Sequence, residues 1–351
     1  MDTKHKPKLL APALILGLLA ALSLGYLWSV RDAGPARNSL LSSMPEDAQA
    51  VLLVDVDDLR HAPFFAQLLS AAPKPGTDPA YQQFVRDTGF DYEKDLFRIA
   101  LAITQQNGKQ FFFAVADGHF DRKKISAYAA KNGAVSKSAG AEIFTVSVEG
   151  ASSPISFRFL RKDRIAFTNQ TDSQSLLQSA KSSTREWQTR FQRVAGSPVF
   201  AVIRSDGLKE IFASPAAGQE FARRAPGGLS SPQLSSLLVQ LQWLTVAAKP
   251  QNDKLRVVAD AESFEDTQAR QLADFLNGLA LLARIGLSNP STRRQIGSAT
   301  RDSYMSLLNS VEVSRLDRDD TKSVRLIFDV SPNLLTSEQL PLPSPAAPNK
   351  K

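Results

Sequence analysis

Apolar and polar positions alternate in short runs along most of the chain, and the one long apolar run stands near its start. Residues 9 to 30, LLAPALILGLLAALSLGYLWSV, carry no charge. At about 1.5 Å per helical residue they match the roughly 30 Å hydrocarbon layer of a bilayer. The pattern predicts one transmembrane helix, with Pro12 near its first turn. Lys4, Lys6 and Lys8 precede it, and Tyr26 and Trp28 lie near its far end. The positive-inside rule then puts the N-terminus in the cytoplasm and everything after Val30 outside it, which places the chain as a single-pass protein of the inner (plasma) membrane. A cleaved signal peptide is the rival reading. Its apolar core is about 7 to 15 residues long and precedes a small-residue cleavage site, and VRDAGPAR offers only a poor one, so an uncleaved anchor is favoured. A secreted protein would instead begin near residue 37.

Beyond the anchor the periodicity changes from continuous to alternating. AVLLVDV (50 to 56) reads as a central strand, and LFRIALAI and KQFFFAVA as two more, joined by a hairpin turn at Asn107 and Gly108. A helix is predicted from Asp121, with Ile125, Tyr128 and Ala129 on one face; EIFTVSV, ISFRF and RIAFT then complete a sheet, and Asp172 starts a further helix. The order recurs in PVFAVI, a helix at GLKEIF, a hairpin of LQWLTVAA and KLRVVADA across KPQND, a helix over SFEDTQARQLADFLNG, and a hairpin of SVEVSRL and SVRLIFDV. AVADGHFD matches VVADAESFED, setting Phe120 beside Phe264, and KNG at 131 to 133 matches LNG at 276 to 278. These matches predict a duplicated module. In LRVVADAE, Leu255, Val257, Ala259 and Ala261 alternate with polar residues, the period of an antiparallel sheet with one buried face. The expected fold class is α+β: two tandem strand-helix-hairpin-helix-hairpin modules with antiparallel sheets. The chain divides into a cytoplasmic head (1–8), the anchor (9–30), a polar tether (31–45), a first module (46–185), a second (186–335) and a disordered proline-rich tail (336–351).

Composition narrows the chemistry. Cysteine is absent, which excludes disulfides, thiol catalysis and cysteine-ligated zinc. The net charge of +7 is no nucleic-acid signature, because acids and bases interleave through the expected modules instead of forming one basic stripe. No G-x-S-x-G elbow, S-x-x-K, P-loop or G-x-G-x-x-G motif occurs. Arg223, Arg224, Arg293 and Arg294 form two pairs that suit anionic lipid or plain solvent, and Asn169 in NQT is a glycosylation acceptor only in a eukaryotic secretory route.

Two acidic clusters are candidate sites. TGFDYEKDLF sets Asp91, Glu93 and Asp95 at the first three ligand positions of a calcium loop, but the sixth and twelfth positions are Leu96 and Ala102 where glycine and glutamate are needed. A capped turn explains more: Asp78 and Pro79 start a helix whose buried face is Tyr81, Phe84 and Val85, Gly89 stops it with positive φ, Phe90 folds back on it and Asp91 caps the next turn. GLSSPQL (228 to 234) is its counterpart, with Ser230 standing for Asp91. VDVDDLRH brings Asp55, Asp57, Asp58 and His61 together, and His119 begins another helix; Asp57 aligns with Asp206 and Asp55 with Arg204, so Asp57 reads as the helix cap. Catalytic, cofactor-binding and metal residues are accordingly read as none.

The sequence around these acids carries a resemblance. PEDAQAVLLVDVDDL followed by TGFDYEKDL resembles a domain-of-unknown-function family of bacterial, N-terminally membrane-anchored extracytoplasmic proteins, through Pro45, Asp47, Ala48, Asp55, Gly89, Phe90, Asp91, Asp95 and Leu96; Phe97, Arg98 and Ile99 stand where members often carry Trp, Leu and Gly. The resemblance implies an anchor and an extracytoplasmic α+β domain, with no activity and no catalytic residues to carry over. The expectation is an envelope binding or interaction module without catalysis. Its partners would be the membrane through residues 9 to 30 and an envelope protein or ligand, with no nucleic acid. The alternative is an extracytoplasmic hydrolase using carboxylates near the strand ends of one module.

Overall fold

The computed structural model describes residues 35–71, 79–147, 153–170, 184–213, 232–290, 297–317 and 321–336. The anchor expected at 9–30, Asp78, the helix expected from Asp172, Ser230 and residues 337–351 lie outside the described residues. Among the described residues no helix is long and apolar enough to cross a membrane.

Among the described residues twelve strands form one antiparallel sheet. The first half supplies β1 (Ala50–Asp55), β2 (Leu96–Gln106), β3 (Lys109–Gly118), β4 (Gly133–Ser138), β5 (Ala141–Val146), β6 (Ile155–Arg161) and β7 (Arg164–Thr168). The second supplies β8 (Val199–Arg204), β9 (Trp243–Gln251), β10 (Lys254–Ser263), β11 (Glu312–Asp317) and β12 (Lys322–Val330). Their order across the sheet is β11-β12-β10-β9-β8-β1-β2-β3-β7-β6-β5-β4. This corrects the expectation of two tandem modules with antiparallel sheets: the two halves form one sheet, because β1 pairs antiparallel with β8, Val54 opposite Val199 and Ala50 opposite Ile203. The physical reason lies in β1 itself: Val51 and Leu53 are buried on one face and Val54 on the other. Such a strand left at an edge would strand its backbone groups in an apolar setting. From that central pair outward, β1-β2-β3-β7-β6 is matched by β8-β9-β10-β12-β11, after which the first half adds β5 and β4.

The hairpins follow local backbone chemistry. Asn107 (φ 52) and Gly108 (φ 74) make a two-residue turn between Gln106 and Lys109, the positive-φ pair that matches the strand twist. The β9–β10 turn is also tighter than KPQND suggests: Gln251 pairs with Lys254, so Pro250 lies within the strand and only Asn252 and Asp253 turn. Pro250 is tolerated because β8 has ended by then, its last partner on β9 being Ala248. Strand β4 went unrecognised because GAVSKS is small, polar and exposed at every position.

Helices cover both faces. On the first, α1 (Pro35–Leu41) inserts Leu40 and Leu41, and α7 (Arg185–Arg193) inserts Trp187 and Phe191, over Val51, Leu53, Phe200 and Val202. Most of the residues expected as a tether are therefore part of the fold, with Met44 also in this core. On the opposite face, α2 (Val56–Arg60) and α3 (Pro63–Ala71) cover Val54 and Val199 through Leu59 and Phe65. There α8 (Ser205–Ala213), α9 (Pro232–Leu238) and α10 (Asp266–Ser288) pack on Ala261 and Val324. Helices α11 (Ser298–Asn309) and α12 (Pro332–Thr336) add Leu307 and Leu334 beside Leu255. In the first half, α4 (Pro79–Thr88), the short α5 (Tyr92–Asp95) and α6 (Arg122–Asn132) complete the covering.

The helix end expected at Gly278 is not observed. Gly133 follows the last residue of α6, whereas Gly278, its match in the repeat, lies inside α10, which runs ten residues further to Ser288. The glycine costs about 1 kcal/mol in a helix interior, and packing of α11 beside α10, with Arg284 donating to the Leu308 carbonyl, holds the helix past it.

Candidate functional site

The acids singled out in the sequence sit where β1 ends. Asp55, not Asp57, is the N-cap of α2, its carboxylate accepting from the Asp58 backbone N–H. Asp57 pairs with Arg60 at 3.1 Å on the surface. His61 is exposed, its Nδ1 3.1 Å from the Asp57 carbonyl. Parity explains the exchange: Asp55 shares the face of Val51 and Leu53, so its side chain is driven inward and is only 2% exposed.

A buried carboxylate must be paired, and Asp55 heads a row that does this across four strands. The register sets Asp55 opposite Arg98, Arg98 opposite Asp117, and Asp117 opposite Arg164, so acid and base alternate on one face. Arg98 donates to Asp55 at 2.7 Å and Arg164 donates twice to Asp117, at 2.5 and 2.8 Å. From above, α1 adds Arg37, which reaches Asp55 at 3.1 Å and the half-exposed Asp58 at 3.5 Å, while Ser39 accepts from Arg164. Burial acts to lower the Arg98 pKa, but its hydrogen bond to Asp55 and the charges of Asp55, Asp117 and Asp58 outweigh that and raise it. Asp58 is pushed up by burial and by the Asp55 charge.

The second half answers with a different row at the same place. Arg204 lies opposite Trp243, Trp243 opposite Glu262, and Glu262 opposite Ser323. Glu262 is fully buried and receives Arg190 and Arg193 of α7, each at 2.6 Å, and the Arg190 guanidinium lies 4.0 Å from the Trp243 ring centre. Arg204 turns to Asp206, whose pKa is lowered by that hydrogen bond. Further out, Asp260 holds Arg325 and Asp329 holds Arg256. Reading the sequence missed Arg98, Asp117, Arg164, Arg190, Arg193 and Glu262. The available signal was a charge at core-facing parity near a strand end, as in LFRI and AVADG. Chemically these rows lock helices α1 and α7 onto the sheet; their carboxylates already accept hydrogen bonds from arginines.

The TGFDYEKDLF segment is a helix stop and a capped turn. Gly89 has φ 69 and donates to the Val85 carbonyl, and the Phe90 ring lies 6.4 Å from that of Phe84. Asp91 caps α5 by accepting from the Glu93 N–H and binds Lys94 at 2.7 Å, while the Asp95 carboxylate accepts from the Asp91 N–H. Burial acts to raise the Asp91 pKa; the Lys94 and Glu93 hydrogen bonds outweigh it and hold it below the usual value. Among the described residues no three metal-ligating side chains converge. His119 is exposed against Phe97, and Asn169 accepts from the Phe112 N–H.

A notch of about 130 Å³ opens at the start of α10, lined by Asp266, Arg315, Asp317 and Lys322. Its charges pair across it: Asp266 with Arg315 and Arg270, and Asp317 with Lys322.

Neither a family model nor a curated protein sequence matches the chain. Solved structures of TP0453 are similar at low level. Crystal form IV matches with a TM-score of 0.46 at 10% identity over 85% of this chain and 94% of that one. Crystal form III gives 0.43 at 11% identity over 88% and 97%.

Proposed function

We propose that the protein is a membrane-anchored envelope protein whose folded part is a binding module, not a hydrolase. The observation that carries this is the free edge of the sheet. Among the described residues strand β4 has β5 on one side only, and all six of its residues are exposed, so its outer backbone donors and acceptors are open to an added strand. The carboxylates at the strand ends support the same reading, since Asp55, Asp117 and Glu262 are each committed to arginines. The test is affinity purification of the full chain from solubilised membranes, beside a form lacking residues 46 to 335. Enrichment of a defined partner by the full chain alone is the expected result. Equal recoveries from both would remove the reading's main support.

A further inference from the structure

The distal half of α10 is exposed in a way that the binding edge does not explain. Ala269, Leu272 and Ala273 bury the first half of this helix against the sheet, but after Ala273 none of its residues is fully buried. Leu281, Leu282 and Ile285 are 56, 67 and 58% exposed. Spaced three and four apart, Leu282 and Leu281 lie on the same helical side as Ile285, so the three make one apolar patch. The half-helix is held by α11, where the Arg284 guanidinium donates to the Leu308 carbonyl. That contact fixes the helix and leaves the three aliphatic side chains open. Grouped exposed apolar side chains mark a surface that something covers.

Charge decides what covers it. Between Asp274 and Asp302 the chain has four arginines, Arg284, Arg293, Arg294 and Arg301, and no acidic residue. An apolar helical stripe in a stretch of one positive sign is the pattern of a helix lying in the headgroup region of an anionic bilayer. The expected anchor brings that surface near. Only residues 31 to 34 separate Val30 from α1, and five steps of at most about 3.6 Å span roughly 18 Å. Because Leu40 and Leu41 of α1 are built into the core, an anchor at residues 9 to 30 would keep the sheet close to the bilayer.

We infer that the Leu281, Leu282 and Ile285 face of α10 is a second membrane contact, seated in the headgroup layer of anionic lipid. This rests on the anchored reading above. The absence of cysteine from the chain permits a clean test. Full-length Leu282→Cys, and separately Ser136→Cys on β4, are labelled with an environment-sensitive fluorophore and reconstituted into vesicles of phosphatidylcholine with or without phosphatidylglycerol. Some of the vesicles also carry doxyl-quencher lipids. Flotation of the same samples reports the anchor. The expected result is blue-shifted emission and doxyl quenching at position 282 but not at 136, stronger with phosphatidylglycerol and lost when Leu281→Asp and Ile285→Asp are added. Protein that floats but shows no quenching at 282 overturns the second contact and leaves the anchor standing. Equal quenching with and without phosphatidylglycerol overturns the anionic preference that defines it. A blue shift that rises with protein concentration and is insensitive to doxyl lipid would assign the face to a second copy. Protein that does not float overturns anchor and contact together.

Discussion

Asp55 on β1 and Arg98 on β2 face each other across the sheet at 2.7 Å, and the carboxylate is joined from α1 by Arg37 at 3.1 Å. One acid therefore ties the central strand, its neighbour and the entry helix. Removing it leaves two guanidinium groups without their main counter-charge, Arg37 being almost fully buried. Asp55→Ala is expected to cost on the order of 3–5 kcal/mol, read from urea unfolding. Replacing the group together, as Arg37→Met, Asp55→Leu and Arg98→Met, should cost far less or stabilise, since desolvation of the charges is removed with their attraction. A triple variant as unstable as Asp55→Ala would show that the row matters through something other than charge burial.

Glu262 gives a second, spectroscopic case. Arg190 is held by Glu262 at 2.6 Å and stacked on Trp243, whose ring centre lies 4.9 Å from that of Trp187. Glu262→Gln should destabilise by about 3 kcal/mol and change the tryptophan emission of the folded state as the guanidinium shifts. Emission identical to that of the parent chain would mean that the stack holds without its carboxylate.

Two glycines should respond with opposite sign. A Cβ built on Gly207 falls 2.7 Å from the Gln49 carbonyl oxygen, which is backbone and cannot yield cheaply, so Gly207→Ala is expected to cost about 1–3 kcal/mol. A Cβ on Gly278 meets nothing within 4 Å, and in a helix interior Gly278→Ala should stabilise by about 0.5–1 kcal/mol. Thermal melts of the two variants would check both signs.

The Asp91 cap should be pH-dependent. Its folded pKa lies below the ordinary value of 3.8, so its contribution is full well above that value and is lost as the pH falls below it through the folded pKa. Asp91→Ala should therefore cost about 1 kcal/mol at neutral pH, and the gap to the parent chain should narrow below pH 3.8. Unfolding curves measured on both sides of that value would show the narrowing; an unchanged gap would assign the cap to the backbone turn instead of the charge.

Features set by neighbouring residues were legible in the sequence. Asn107 and Gly108 make their turn wherever the strands go, Asp121 caps α6 by accepting from the Lys124 N–H, and Gly89 stops α4 because its φ of 69 suits glycine. Short apolar runs located β1, β2 and β3, and alternation located β10, where one set of side chains faces the core at a period of two. Where locality failed, the cause was tertiary. Gly278 continues a helix that Gly133 ends, because α11 packs beside α10. The capping role falls to Asp55 and not Asp57, because parity turns Asp55 toward the core.

By itself, then, the sequence determined the α+β character, the antiparallel hairpins, the local caps and stops, and the charge balance; all of these arise from residues a few positions apart. Only the tertiary structure decided that the two halves share one sheet, since β1 and β8 are about 150 residues apart and an apolar strand does not name its partner. The same holds for the row of Asp55, Arg98, Asp117 and Arg164, whose members come together only through strand register. Each is an ordinary charge in the sequence, and pairing across the sheet is what makes their burial tolerable.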